Sequence, residues 1–521
     1  MFKMRKCLCL VLVFVFAFAF ALTGCGAAKD GVAEPATSEQ PAPATVDAGD
    51  ETAAVAEPVA ESPKEVVEIT YIRVGDKQPA ETDAVLAKIN EYLKDKGLKL
   101  NLQVFGWGDY DTKVNPMLAS GEPFDVCFTA AWAANYYMNA PAGYFLKLND
   151  YLEKDSTIAN ILSKDFLNGA AIDGVNYAVQ THKETAHTWG YLLQKSLVDK
   201  YNVDVASIKT NQDLAPYFEK ILQGEGGKII PLLACKMDTP FHFLDWNNLS
   251  DDNVPGALYP DNRDTKIVNQ FITPESIAYY REMRDFYQKG YIAKDNATLT
   301  NTAEEMRTGK YFASEQPLIP YFAARMSQQL GSEWIQVEMT KTVMSNRETT
   351  GAMLAIPAAS KHPDEAFKFI TLTYTDAVLR NMITFGLEGT HYTVNDDGRI
   401  KMTQQGTDGW NLGNQWEFGD QFKDLLLESQ PLDLWAKMTE FNNSALPMQN
   451  LGFAFNSSSV QTQIAACKTV VDNYYPLLFT GSVDVDKTVT KLTNELKASG
   501  EEAILVEMQK QYDAWRAKVG K

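Results

Sequence analysis

Histidine, cysteine and positive charge are all scarce in this 521-residue chain, and each shortage removes a class of chemistry. The five histidines, His182, His187, His242, His362 and His391, form no His-Glu-x-x-His pair and no Cys/His spacing of a zinc site. Neither a Gly-x-Ser-x-Gly elbow nor a phosphate-binding glycine loop is present, so the chain shows no motif for acyl transfer or nucleotide chemistry. No cofactor and no metal are expected. Of six cysteines, Cys7 and Cys9 lie in the first hydrophobic run and Cys25 directly behind it, which leaves Cys127, Cys235 and Cys467. Three cannot all pair, and they read mostly as small buried hydrophobes, with one disulfide left open. Lys and Arg number 48 against 67 acids, a net charge of -19, and that balance argues against nucleic acid as a partner.

What the chain does have begins at its N-terminus. Lys3, Arg5 and Lys6 precede sixteen consecutive apolar or cysteine residues, Cys7 to Leu22, the layout of a signal peptide. A membrane span needs roughly 20 apolar residues, so this run is short for one. The ending Leu22-Thr23-Gly24-Cys25 resembles the lipobox of bacterial lipoproteins. That resemblance implies cleavage after Gly24 and a diacylglyceryl (palmitate-type) anchor on Cys25; losing three basic residues with the signal takes the net charge from -19 to -22. From Gly26 to Glu65 there are five prolines, nine acids and no aromatic residue, too little apolar surface to fold. Residues 25–65 therefore read as a lipidated cysteine and a flexible tether, with a reach of about 35 Å.

Alternation at Val67, Ile69 and Tyr71 marks a strand that ends at Gly75. Val85, Leu86, Ile89, Tyr92 and Leu93 recur on one helical face, with Gly97 as the cap. A second strand follows over Leu98 to Val104, a short helix over 110–119 that Pro116 would kink or shorten, and a third strand over Phe124 to Phe128. This order predicts right-handed crossovers and a parallel sheet covered on both faces, with ligands bound beyond the strands' carboxyl ends. Those ends carry Asp76-Lys77-Gln78, Trp107 to Asp109, and Thr129 to Asn135 with Trp132. Further along, Asn395 to Gly398 reads as a hairpin turn.

Four pieces carry a family resemblance: the Leu118–Thr129 run, Gly174–Val179 with Tyr191–Lys200, Thr350–Ser360 before the Pro363 helix, and the tail from Phe453 to Trp515. Together they resemble the extracellular solute-binding proteins of ATP-driven importers, the group that includes maltose-binding protein. The tail is similar to that of a lipoprotein subgroup associated with oligosaccharides. The resemblance implies an α/β, two-lobed, type II periplasmic-binding-protein-like fold, with parallel-rich sheets and several hinge crossings. Crossings are expected near Ala178–His187, Arg347–Gly351 and Gly389–Val394. Lobe one would then be 66–180 plus 350–392, and lobe two 181–349 plus 393–521.

Nine tryptophans are available, and sugars combine apolar C–H faces with hydroxyl edges, which suits flat rings beside carboxylates and amides. Trp107, Trp132, Trp246, Trp410 and Trp416 sit in polar, Gly- or Asn-rich surroundings and are the favoured cleft rings; Trp435 and Trp515 read as packing. The ligand-binding set is Asp76, Lys77, Gln78, Trp107, Asp109, Thr129, Trp132, Trp189, Asp245, Trp246, Trp410 and Trp416, together with Glu184, which resembles the family's acid between the lobes. His182 and His187 flank the first crossing, where a hinge or cleft role is the alternative, and read first as ordinary loop histidines. The expected function is non-enzymatic: a lipid-anchored, monomeric capture protein on the extracellular face of the cell membrane, delivering an oligosaccharide to an ABC permease. The same fold binding a peptide, amino acid or nucleoside, a tethered glycosidase, and a ligand sensor remain alternatives.

Overall fold

A computed structural model describes residues 65–235, 244–299, 301–410 and 412–520. The signal run, Cys25 and the tether up to residue 64 lie outside the described residues, as does His242. Two sheets are built from β1 Val67–Gly75, β2 Leu98–Gly106, β3 Val126–Thr129, β4 Ala178–Gln180, β5 Thr188–Gln194, β6 Ile230–Leu233, β7 Tyr311–Leu318, β8 Trp334–Glu338 and β9 Met353–Ala355.

The first sheet has the order β2-β1-β3-β9-β4. β1 runs parallel to β2 and β3, while β9 is antiparallel to β3 and β4. Successive side chains of β1 go to opposite faces: Ile69 and Tyr71 enter one core with the Thr82–Leu93 helix, Ile72 and Val74 another with the Tyr110–Ser120 helix. Both faces are therefore dry, as a parallel sheet requires. The second sheet, β8-β5-β7-β6, is antiparallel except between β6 and β7. Its core takes in the three C-terminal helices Gln461–Phe479, Val485–Ala498 and Glu501–Val519. The three cysteines are buried: Cys127 and Cys467 in separate cores, and Cys235 with its thiol donating to the Leu299 carbonyl.

The sheets are joined by segments that run side by side. Residues 181–187 lead from β4 to β5, and the His187 N–H donates to the Val343 carbonyl while the Val343 N–H donates back to His187. Val343–Met344 in turn pairs in parallel with Leu446–Pro447. Residues 393–418, assigned to lobe two by the sequence, do not leave lobe one after Val394. Tyr392–Val394 and Ile400–Met402 form a hairpin there, and Trp410, Leu412 and Phe418 pack into the core of the first sheet with Tyr71 and Ile383. The helix Leu434–Ser444 packs against Ile319 and Tyr321 beyond β7, and Leu446–Pro447 after it pairs with Val343–Met344.

Candidate functional site

The carboxyl ends of β3 and β4 meet the start of β9, with Met353 opposite both Thr129 and Gln180. Loops at this edge bring together three tryptophans far apart in sequence. Trp107 and Trp132 have ring centroids 6.0 Å apart and near-parallel planes, Trp416 lies 6.4 Å from Trp107 and 6.0 Å from Trp132, and Phe128 backs Trp132 and Trp416. The indole N–H of Trp107 donates to Asp76 at 2.9 Å, and that of Trp132 to the Gly351 carbonyl at 2.9 Å. Both polar corners are thus tied off while the rings remain 46% and 49% exposed. Water released from such flat surfaces favours covering by a ligand's apolar face, and rings already held lose little freedom when covered.

Trp416 is positioned from beneath by two arginines. Arg73 on β1 pairs with Glu417 at 2.9 Å and donates to the Asn414 carbonyl. Arg380, on the Ala377–Phe385 helix, pairs with Asp424 and donates to the carbonyls of Gln415 and Phe418. Their guanidiniums lie 5.5 and 4.3 Å from the Phe418 ring. Burial pushes the Glu417 and Asp424 carboxyls upward, and the arginines oppose that shift. These side chains are desolvated; Arg380 carries several charge-assisted bonds, whereas Glu417 is held by Arg73 through one carboxylate oxygen.

The remaining candidates are distributed differently. Lys77 and Asp109 are exposed at the same edge, Asp109 paired with Lys113 at 3.1 Å. Gln78 uses its amide on β2, accepting from Val104 N–H and donating to the Leu102 carbonyl, which keeps it structural. Thr129 is fully buried and donates its hydroxyl to the Ala134 carbonyl, so it offers a ligand nothing. Trp410 also departs from the expected platform: it is sealed in the core, its N–H donating to the Ile383 carbonyl. Glu184, in the first crossing, pairs with Lys183 at 2.7 Å and keeps about a third of its side chain exposed. Trp189 and Trp246 are buried beyond the hinge, Trp246 against Tyr259 with centroids 5.0 Å apart.

The two histidines that flank the first crossing, read as ordinary loop residues from the sequence, both lie against carboxylates. His182 meets Asp420 at 2.6 Å and lies against Phe422. His187 has Nδ1 3.0 Å from Glu348 and Nε2 3.0 Å from Asp245. A carboxylate at each ring nitrogen requires a proton on both, so this ring is an imidazolium. Burial alone pushes it down, but Glu348 and Asp245 outweigh that and hold it raised to about 10. Burial likewise pushes Glu348 up, and His187 with the Ser345 donors brings it to about 2. Because the two carboxylates sit at opposite nitrogens, they cannot converge on one metal ion.

Residues 87–424 match the family described as bacterial extracellular solute-binding protein. The chain belongs to this family. Residues 449–517, which contain the three C-terminal helices' packing, match a domain of unknown function, DUF3502. A carbohydrate ABC transporter substrate-binding protein of Streptococcus pneumoniae serotype 4 is 28% identical over 461 residues, 85% of this chain and 90% of that one. Among solved structures, the N-glycan transport solute binding protein NgtS of Streptococcus pneumoniae is similar at 25% identity and TM-score 0.76, covering 86% of this chain and 98% of its own. NgtS in complex with Man5GlcNAc matches at 26% identity over the same shares, with TM-score 0.63. As a member of the solute-binding family, this protein binds a solute and performs no chemistry on it.

Proposed function

We propose that this solute-binding protein captures an oligosaccharide between its two lobes, for a membrane ABC permease, while tethered to the outer face of the cell membrane through a lipid on Cys25. The observation that carries the reading is the Trp107–Trp132–Trp416 platform, three rings within 6.4 Å of one another, of which Trp107 and Trp132 stay about half exposed and are held by their indole N–H groups. A stacked ring contributes about 0.5–1.5 kcal/mol beyond its buried area, so several suit a dissociation constant near 1 μM, about 8 kcal/mol. That strength permits both capture and release.

The two NgtS structures support motion between the lobes. One relative aligns with this chain over the same shares yet scores 0.76 in one structure and 0.63 with Man5GlcNAc bound, so its own shape differs between them. Lobe closure around a ligand, pivoting on the side-by-side crossings, is the motion the fold provides for.

Growth and uptake test the reading. Deleting the gene is expected to abolish uptake of the oligosaccharide while leaving the transporter's induction intact; loss of induction with normal uptake would indicate a sensor, and release of sugar products by the purified protein would indicate a glycosidase.

A further inference from the structure

The imidazolium of His187 stands where three pieces of chain meet. His187 closes the first crossing, whose backbone pairs with Val343 of the second. Glu348 belongs to the one-turn helix Asn346–Thr349, which is fastened to lobe one by the Thr349 hydroxyl donating to the Gly169 carbonyl. Asp245 precedes Trp246 and Asn247, which pack in lobe two. The cation is therefore shared by a carboxylate of this hinge helix, whose Asn346 also donates to the Asn450 and Phe453 carbonyls, and one carboxylate of lobe two.

The two carboxylates are not equivalent. Glu348 is saturated: one oxygen takes His187, and the other accepts from the N–H and hydroxyl of Ser345 in a capping box. Asp245 gives only Oδ1 to His187 and keeps its other oxygen outside that contact, on a side chain 11% exposed. It holds this pose with a left-handed backbone, φ 47°, which Asp tolerates better than most residues. Among the described residues the ionisable groups bonded to the ring are these two, and Trp189 lies edge-on to it at 5.7 Å. Three residues beyond Glu348, the Gly351 carbonyl holds the indole of Trp132, so the triad and the platform share one short stretch of chain.

We propose that His187 is a positioning residue: it fixes Asp245 so that the free carboxylate oxygen accepts hydrogen bonds from the hydroxyl edge of a saccharide stacked on the tryptophan platform. This rests on the oligosaccharide reading above. A neutral amide at Glu348 would weaken the hold on the imidazolium and let it lose its proton nearer neutrality, releasing Asp245.

The test uses the purified protein with Man5GlcNAc as the probe, together with ligand-free imidazole NMR. His187→Gln is expected to weaken binding at least tenfold at pH 7. Wild-type affinity should be flat from pH 6 to 9, whereas Glu348→Gln should lose affinity progressively over that range. In NMR without ligand, the wild-type ring should keep both protons past pH 8, and the Glu348→Gln ring should titrate lower. A wild-type ring that titrates near 6.5 overturns the proposal whether or not the glycan binds; so does unchanged affinity in His187→Gln, or a flat pH profile in Glu348→Gln. Failure of the wild type to bind any oligosaccharide overturns the functional reading and, with it, the assigned role of Asp245, even where NMR shows the doubly protonated ring.

Discussion

Arg73 in the middle of β1 and Glu417 in the loop that carries Trp416 meet at 2.9 Å with side chains only 1% and 0% exposed. One end of this pair lies in the first sheet and the other in the loop that carries Trp416, so that loop inherits the rigidity of the sheet beneath it.

Arg73→Met should leave the Glu417 carboxylate buried without its cation. A loss of about 3–5 kcal/mol in unfolding free energy is expected, read from the urea midpoint. The double variant Arg73→Met with Glu417→Leu should recover a large part of it. A single variant as stable as wild type would contradict the role assigned to the pair.

Trp107→Ala and Trp132→Ala remove rings that are half exposed, so folding should survive. Each is expected to weaken oligosaccharide binding about tenfold, roughly 1.4 kcal/mol, by calorimetric titration. Trp410→Ala is expected to act differently: as a core cavity it should destabilise by about 3–5 kcal/mol. If Trp410→Ala left stability intact and abolished binding, the division between platform and core would be wrong.

The His187 network makes stability depend on pH in a defined direction. The imidazolium is raised from 6.5 to about 10, so its contribution is complete below about pH 6.5 and disappears as pH climbs to 10. Glu348 is lowered from 4.5 to about 2, so its share is present above 4.5 and is lost as pH falls toward 2. The decline is at most about 1.4 kcal/mol per pH unit for each group. Burial also pushes Glu315 in β7 up to about 8, which adds its own fall in stability between pH 4.5 and 8. Urea midpoints from pH 6 to 9 should therefore drop more steeply in wild type than in His187→Gln. Equal slopes would remove His187 from the account.

Cys25→Ser should shift the protein from the cell fraction into the medium. Continued retention with the cells would rule out the lipid tether.

The periodic parts of the fold were legible in the sequence. Strand alternation at Ile69 and Tyr71 and the helical face Val85–Ile89–Leu93 are local patterns, and both recur as buried faces. Trp410 was not, because its polar and glycine neighbours look like a surface loop. Those glycines in fact permit close packing: a Cβ on Gly406 would come within 2.0 Å of the His391 carbonyl oxygen, and one on Gly409 within 2.7 Å of Glu81. His187 was hidden for another reason. Its partners lie 58 and 161 residues away, so no local spacing announces them. The three platform tryptophans were each visible as candidates; that they share one surface is a product of the fold.

The central claim is most directly tested by a thermal-shift panel of oligosaccharides including Man5GlcNAc, the corresponding monosaccharides, peptides and polyamines. An oligosaccharide at one hundred times its dissociation constant should stabilise the protein by about 2.7 kcal/mol, with the other classes giving less. A shift produced by peptides alone would contradict the account.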